Sequence, residues 1–90
     1  MKISKFLKNP TVKLLLYIFE NGHTRHRDLN MVIESRGTLS VSLNELMHDG
    51  LVQRLVKTDK KPIESYYFLT EKGEKVAYII KSLIEIFEHI

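Results

Sequence analysis

The sequence contains no cysteine among its 90 residues. This absence excludes disulfide bonds, zinc sites built on thiolates and redox-sensing thiols. Proline and glycine are scarce as well, with two and four residues, and no linker or low-complexity segment is present. Any signal that acts on this chain must therefore use chemistry other than thiol oxidation.

Long apolar runs are also missing. The longest one, residues 14–19, falls far short of the roughly 20 residues that a membrane-spanning helix needs. Residues 1–8 lack the apolar core of a signal peptide. We therefore expect an intracellular protein of the cytoplasm.

The length fits one domain, which we expect over residues 1–90. Its apolar and charged fractions, 43% and 28%, are those of a globular protein. A chain this short buries only roughly 60 to 65% of its unfolded surface, so an isolated monomer is marginally stable. Association with a second copy is therefore expected.

Positive charge is in slight excess and is unevenly distributed. The net charge is +3, and residues 1–70 carry eleven Lys and Arg against seven Asp and Glu. Residues 71–90 carry three against four. The excess precedes the last predicted helix, as a surface that binds nucleic acid requires.

The most informative segment is residues 38–54, in which a helix passes directly into a strand. Apolar residues at spacings of four and three predict the buried stripe of a helix, namely Leu39, Leu43 and Leu46. The opposite face is small and mostly polar and consists of Ser40, Val41, Asn44 and His48. Gly50 tolerates the positive φ that follows many helix ends, and residues 51–57 are rich in strand formers.

Capping residues mark the starts of the first two helices. Asn9 and Pro10 open a helix to about Glu20, with an expected inner stripe of Val12, Leu15, Leu16 and Phe19. Thr24 is expected to cap the second helix, after a strand of one to three residues. The inward residues of this helix are expected to be Leu29, Val32 and Ile33.

The third helix has two suitable caps, Ser35 and Thr38; we prefer Ser35, which places Gly37 in the first turn. Residues 51–57 and 64–69 then predict a β-hairpin with a charged turn between them. Thr70 is the expected N-cap of a last helix, with acidic residues in its first turn.

The last helix has more apolar surface than one small domain covers. A 4-3-4-3 spacing, typical of a coiled-coil seam, joins Val76, Ile80, Leu83, Phe87 and Ile90. Other apolar residues extend this surface around the helix, namely Ile79, Ile84 and Ile86. We predict that this helix pairs two subunits in a homodimer.

Two junctions resemble those of winged helix-turn-helix transcription regulators of the HxlR-like and MarR-like groups. One is the pattern L-x-x-L-x-x-x-G-L-V-x-R, carried by Leu43, Leu46, Gly50, Leu51, Val52 and Arg54. The other is Y-x-L-T-x-x-G, carried by Tyr67, Leu69, Thr70 and Gly73. HxlR-like members often have a cysteine near the N-terminus, which is absent here, so redox sensing is not carried over.

The resemblance implies an α+β, mostly α fold. A three-helix core and a two-stranded β-wing would occupy residues 11–70, and a long C-terminal dimerisation helix would occupy residues 71–90. The implied function is regulation of transcription by sequence-specific binding of double-stranded DNA. We expect a homodimeric repressor that is associated with the nucleoid and occupies a pseudo-palindromic site.

In such a protein the recognition helix, here residues 36–49, enters the major groove, and the wing, residues 57–63, meets the minor groove or the backbone. The expected base contacts are Arg36, Thr38, Ser40, Val41 and Asn44. The expected backbone contacts are Arg25, Arg27, Arg54, Lys57, Lys60 and Lys61. For Arg25 and Arg27 a second interpretation stays open, in which they are solvated cations partly offset by Asp28.

No enzyme chemistry is indicated, because the sequence offers no catalytic triad, carboxylate pair or phosphate-binding loop. His23 and His26 lie three residues apart, yet no third ligand follows at a metal-binding spacing, so we predict no metal and no cofactor. Tyr66, Tyr67 and Phe68 suit either base stacking or a small sheet, and we favour the sheet.

Three alternatives remain open. Winged helices also serve as protein-protein interaction modules without specific DNA binding, and +3 is a weak electrostatic signal. Structured RNA is a second alternative partner. A small-molecule effector is compatible with the sequence, although no set of residues identifies one.

Overall fold

The computed structural model describes residues 3–88, which contain five helices and three short strands. Their order is α1 (Ile3–Leu7), α2 (Pro10–Asn21), β1 (Thr24–Arg25), α3 (His26–Val32), α4 (Arg36–His48), β2 (Val52–Lys57), β3 (Glu64–Leu69) and α5 (Glu71–Glu88). This is the predicted α+β architecture: α2, α3 and α4 form the three-helix core, β2 and β3 form the wing, and α5 follows. Within the described residues, no helix is both long and apolar enough to cross a membrane.

The wing hairpin belongs to a three-stranded antiparallel sheet with the order β1-β3-β2. Thr24 lies opposite Tyr67, and Val52 lies opposite Leu69. Because side chains alternate across a strand, Tyr67 faces the core and is buried, whereas Tyr66 and Phe68 face the other side and are half-buried. The prediction that these aromatic residues belong to the sheet is confirmed.

The hydrophobic core lies where the helices meet the sheet. Its buried members are Leu14, Leu15, Ile18, Leu29, Ile33, Leu39, Leu43, Leu46, Val52, Tyr67 and Ala77. The expected inner stripe of α2 is wrong in part. Val12, Leu16 and Phe19 are only half-buried, because α2 contacts α4, α5 and β3 together and turns a different face inward.

Hydrogen bonds identify the residues that cap the N-termini of α2 and α4 and exclude one predicted cap of α3. Asn9 Oδ1 accepts hydrogen bonds from the backbone N–H groups of Thr11 and Val12 at 2.9 and 3.3 Å, as predicted. Ser35 Oγ accepts from the N–H of Thr38 at 3.3 Å, which confirms Ser35 as the cap of α4. Thr24 does not cap α3, because its hydroxyl donates to the carbonyl of Gly22 at 2.9 Å and Arg25 holds the cap position.

The C-terminus of α4 is closed by a Schellman motif. The N–H of Leu51 donates to the carbonyl of Leu46 at 2.9 Å, and the N–H of Gly50 donates to that of Met47 at 3.1 Å. Gly50 has a φ of 74°, a left-handed conformation that residues with a Cβ rarely adopt. The chain therefore leaves α4 in a fixed direction and enters β2 immediately.

The start of α5 is attached to this same turn. The N–H of Thr70 donates to the carbonyl of Leu51 at 3.0 Å, and its hydroxyl donates to that of Gly50 at 2.6 Å. The ammonium group of Lys72 donates to the carbonyl of Asp49 at 2.8 Å. Gly73 is buried here, and a Cβ on it would lie only 2.0 Å from the carbonyl oxygen of Leu51.

Gly73→Ala should therefore destabilise the protein, because the added methyl group overlaps backbone that is held by hydrogen bonds. We expect the free energy of unfolding to fall by about 2 to 3 kcal/mol, the upper part of the range for overpacking, in urea denaturation. Gly37→Ala is the matched control, because a Cβ at Gly37 has no atom within 4 Å and the position is helical. The control should keep or slightly raise stability; equal effects of the two substitutions would contradict this account.

Candidate nucleic-acid interface

Among the described residues, no side chains cover the outward face of α4 over most of its length. Leu39, Leu43 and Leu46 anchor the helix to the core. The predicted base-contacting residues Arg36, Ser40, Val41 and Asn44 are all exposed, and Val41 has 59% of its surface accessible. Thr38 is half-buried. The core stripe thus holds a small, mostly polar surface toward the outside.

Positive charge gathers at the N-terminal end of α4. Arg36 at this end and Arg27 in α3 line one surface groove with His26 and Asn30. Both arginines are exposed. The N-termini of α3 and α4 therefore present cations side by side, in a region where the helix dipoles also favour an anion.

The other end of α4 has the opposite character. Glu45 and Asp49 line a shallow groove with Val41, Asn44 and His48. Glu45 Oε2 accepts a hydrogen bond from the hydroxyl of Thr11 at 3.1 Å, which ties α4 to α2. The charge along α4 therefore changes from positive to negative between its first and last turns.

The wing extends beyond the core. Val52 is buried, but every residue from Gln53 to Lys57 is exposed, and so are Lys60 and Lys61 in the connecting turn. The predicted backbone contacts Arg54, Lys57, Lys60 and Lys61 are therefore accessible. The Lys57 ammonium lies 5.1 Å from the centre of the Tyr66 ring, near the outer end of the hairpin.

Arg25 differs from the other predicted backbone contacts because it has an acidic partner. Its guanidinium lies 3.2 Å from Glu64 Oε1, and the two side chains are 31% and 18% exposed. The guanidinium also lies 5.9 Å from the centre of the Tyr66 ring. The carboxylate beside Arg25 thus comes from β3, whereas the sequence pointed to Asp28.

Glu64 and Tyr66 are joined by a hydrogen bond from the phenol to the carboxylate. This bond holds the pKa of Glu64 below its ordinary value, and the charge of Arg25 acts in the same direction. The same bond raises the pKa of Tyr66. At neutral pH the pair is therefore an ionised carboxylate and a neutral phenol.

The two neighbouring histidines contact different aromatic residues. The His23 ring lies 4.8 Å from that of Phe68, and His26 Nδ1 is 3.3 Å from the Tyr67 hydroxyl. Within residues 3–88, no three His, Asp or Glu side chains are close enough together to hold a metal ion. Sheet packing therefore accounts for the positions of both histidines.

The predicted dimer residues on α5 lie in two environments. Val76 and Ile80 are half-buried and pack on the core of their own chain. Leu83 is half-buried, Phe87 is 38% exposed, and Ile90 lies outside the described residues. The most exposed apolar residues of α5 are Tyr78, Ile79 and Ile86, at 66%, 66% and 60%.

These exposed residues form a surface that includes α2. Ile79, Leu83 and Ile86 repeat the 4-3 spacing of the predicted seam, but start from Ile79 and not from Val76 or Ile80. Tyr78 and Ile79 also line an open, largely apolar groove with Phe19 of α2. We name Phe19, Tyr78, Ile79, Leu83 and Ile86 the apolar face.

Sequence reasoning missed two features of the structure, helix α1 and an ion pair across the sheet. Helix α1 was not predicted, although Ile3, Phe6 and Leu7 have the spacing of a helical stripe. The ion pair of Arg25 with Glu64 was missed because the residues are 39 positions apart and meet only through the pairing of β1 with β3. No local signal in the sequence reveals that contact.

The model of the family described as HxlR-like helix-turn-helix matches residues 9–90. Among solved structures, the reduced transcriptional regulator YodB from B. subtilis is 25% identical, with a TM-score of 0.68; 82% of this chain and 74% of that chain are covered. The redox regulator HypR in its oxidised form is 28% identical, with a TM-score of 0.71, and the covered shares are 86% and 80%.

A MarR-family protein from Porphyromonas gingivalis W83, described as a putative transcriptional regulator, shares the fold at 22% identity. Its TM-score is 0.70, and the covered shares are 97% of this chain and 89% of that chain. A comparison with curated proteins found no match.

The observed start of α4 can be tested through its cap. Ser35→Ala removes the oxygen that accepts from the N–H of Thr38, and we expect the free energy of unfolding to fall by about 1 kcal/mol. Ser40→Ala is the control, since Ser40 is exposed within the same helix and should lose no stability. Unchanged urea denaturation of Ser35→Ala would mean that α4 begins elsewhere.

Proposed function

The chain belongs to the HxlR-like helix-turn-helix family and is a transcriptional regulator, not an enzyme; we propose that it is a homodimeric repressor of a pseudo-palindromic DNA site. Each half-site would receive α4 in the major groove and the wing on the minor groove or backbone. Bound at a promoter, such a dimer would exclude other proteins from the site, which is the proposed basis of repression.

The observation that carries this proposal is the uncovered outward face of α4. The outward faces of surface helices usually bear charged side chains, whereas the middle of this face bears Ser40, Val41 and Asn44. Short side chains allow the helix axis to approach the floor of a groove. Asparagine can form two hydrogen bonds with adenine, and valine can contact the methyl group of thymine.

The charge along α4 supports the direction of its approach. Arg36 and Arg27 lie at the N-terminal end, whereas Glu45 and Asp49 lie at the C-terminal end. The N-terminal end would therefore lie deepest in the DNA, with Arg36 positioned to bind guanine. Arg27 would bind a phosphate beside the groove together with the N-terminus of α3.

The wing would supply contacts that do not depend on sequence. Lys57, Lys60 and Lys61 are exposed along and beyond the end of β2, where a neighbouring stretch of DNA backbone would pass. Arg54 is exposed on the same strand. Each phosphate that these cations neutralise releases counterions, so affinity should fall steeply with salt.

Dimerisation would use the apolar face. Leaving Ile79 and Ile86 exposed on a helix of 18 residues costs solvation free energy that a second copy would remove. The 4-3 spacing suits pairing of the same helix about a two-fold axis. The dimer seam would thus run through Ile79, Leu83 and Ile86. Of these residues, only Leu83 also belongs to the seam predicted from the sequence.

Base recognition can be separated from phosphate binding by two variants. Asn44→Ala should reduce the preference for the cognate site over random duplex. The loss should be about 1 to 3 kcal/mol for each base that Asn44 contacts. It should leave binding to random duplex unchanged, because the lost contacts are to bases. Fluorescence anisotropy with both duplexes measures the ratio, and an unchanged ratio would contradict the assignment of Asn44.

Lys60→Ala combined with Lys61→Ala is the complementary variant. It should weaken binding to cognate and random duplex by the same factor. The slope of log K against log salt should become shallower by about 3.6 for the dimer, since each phosphate contact contributes about 0.9 and each of the two wings loses two lysines. Wild-type affinity for random duplex in this double variant would show that the wing does not contact DNA.

The oligomeric state can be tested on the apolar face. Ile79→Glu should convert a dimer into a monomer in sedimentation velocity, because it places charges opposite each other in the seam. Met31→Glu is the matched control, since Met31 is 80% exposed and lies on α3, which contributes no residue to the apolar face. If Ile79→Glu stayed dimeric, the subunits would have to pair elsewhere.

A further inference from the structure

We propose that Glu64 and Arg25 are positioning residues, which fix the angle of the wing relative to α3 and α4 and thereby place the wing lysines on DNA. This inference rests on the proposed DNA-binding function, because it assigns a role to the wing within it. Arg25 would then not be one of the residues that contact DNA phosphates directly. Glu64, although acidic, would support the binding of DNA by positioning the lysines of the wing.

Core packing alone holds only the base of the wing. Val52 is the single buried residue of β2, and the rest of that strand is exposed. On the other side of β3, the pairing with β1 ends where Arg25 meets Tyr66. Ser65 and Glu64 therefore extend past the last residue pair with β1, and the outer half of the hairpin depends on side-chain contacts for its orientation.

Those contacts come from four residues on one face of the sheet. Arg25 is the pairing partner of Tyr66, and Lys57 is the pairing partner of Glu64. The ion pair of 3.2 Å joins Arg25 to Glu64, and the Tyr66 hydroxyl donates to the same carboxylate. The cations of Arg25 and Lys57 lie 5.9 and 5.1 Å from the centre of the Tyr66 ring. All three strands are thus linked at one point.

The position of Arg25 makes this link relevant to DNA binding. Arg25 ends β1, and α3 begins at the next residue, His26. Arg27, a proposed phosphate contact, follows in the first turn of α3. An ion pair between Arg25 and Glu64 therefore connects the outer wing to the helix that packs beside α4.

The charge of Glu64 provides a test with a definite sign. A carboxylate on a DNA-binding wing repels phosphate, so its removal alone should tighten binding. If Glu64 positions the wing, its removal should instead weaken binding, because the wing lysines lose their placement. The two roles predict opposite directions for the same substitution.

The experiment compares Glu64→Gln with Asp59→Asn in the full chain, by fluorescence anisotropy with a random duplex across a salt series. Asp59 is an exposed carboxylate in the turn of the same wing, so its removal changes the charge equally. We expect Glu64→Gln to bind about fivefold more weakly, the size of a well-formed ion pair, and with a shallower salt slope. Asp59→Asn should bind as tightly as wild type or more tightly.

Tyr66→Phe extends the test without any change of charge. It keeps the ring and loses only the hydrogen bond to Glu64, so binding should weaken about twofold while the melting temperature shows a folded protein. This variant also decides the matter if Glu64→Gln does not fold. If Glu64→Gln does not fold, wild-type affinity of Tyr66→Phe would overturn the proposal. If Glu64→Gln folds, the proposal would be overturned by binding as tight as that of the wild type or tighter. Weakening of Asp59→Asn as large as that of Glu64→Gln would overturn it as well.

A double-mutant cycle tests the role of Arg25. If Arg25 acts through Glu64, the double variant Arg25→Gln with Glu64→Gln should bind no more weakly than Arg25→Gln alone. Independent effects that multiply would mean that Arg25 contacts phosphate directly, and would overturn its assignment as a positioning residue. Failure of the wild-type protein itself to bind any duplex would instead refute the proposed function, and the inference with it.

Discussion

The close contact between Gly73 and the backbone of Leu51 determines how α5 is placed against α4 and the wing. A Cβ at position 73 would lie 2.0 Å from the Leu51 carbonyl oxygen, so only glycine lets α5 approach this turn. Around this contact, Thr70 and Lys72 donate hydrogen bonds to the carbonyls of Asp49, Gly50 and Leu51. The turn between α4 and β2 and the start of α5 are thereby fixed relative to one another.

This junction relates the proposed dimer to the proposed DNA site. In a symmetric dimer, the two recognition helices must lie about one turn of DNA, roughly 34 to 36 Å, apart to enter successive major grooves. That separation would depend on the angle between α4 and α5, which the Schellman turn and the contact of Gly73 hold. Helix α2 adds to this by packing against both α4 and α5. The Lys81 ammonium of α5 also bonds to Glu20 of α2.

The features predicted correctly from the sequence are those that local chemistry determines. Asn9 and Ser35 cap their helices because each side chain needs only the N–H groups two or three residues ahead. The contacts that the sequence did not reveal are set by packing over long separations. The buried stripe of α2 is rotated from the predicted one because α2 packs against α4, α5 and β3 together. Glu64 reaches Arg25 only through the register of β1 with β3. Thr24 failed as a cap because its hydroxyl bonds to Gly22 instead.

Helix α4 and the wing are together proposed to bind a specific site in double-stranded DNA. The most direct measurement is fluorescence anisotropy of the purified protein with DNA from upstream of its own gene and with a random duplex, across a range of salt. We expect tighter binding to the upstream DNA, with log K falling linearly and steeply against log salt. Absence of binding to either duplex at low salt would contradict it and would favour a winged helix that binds another protein.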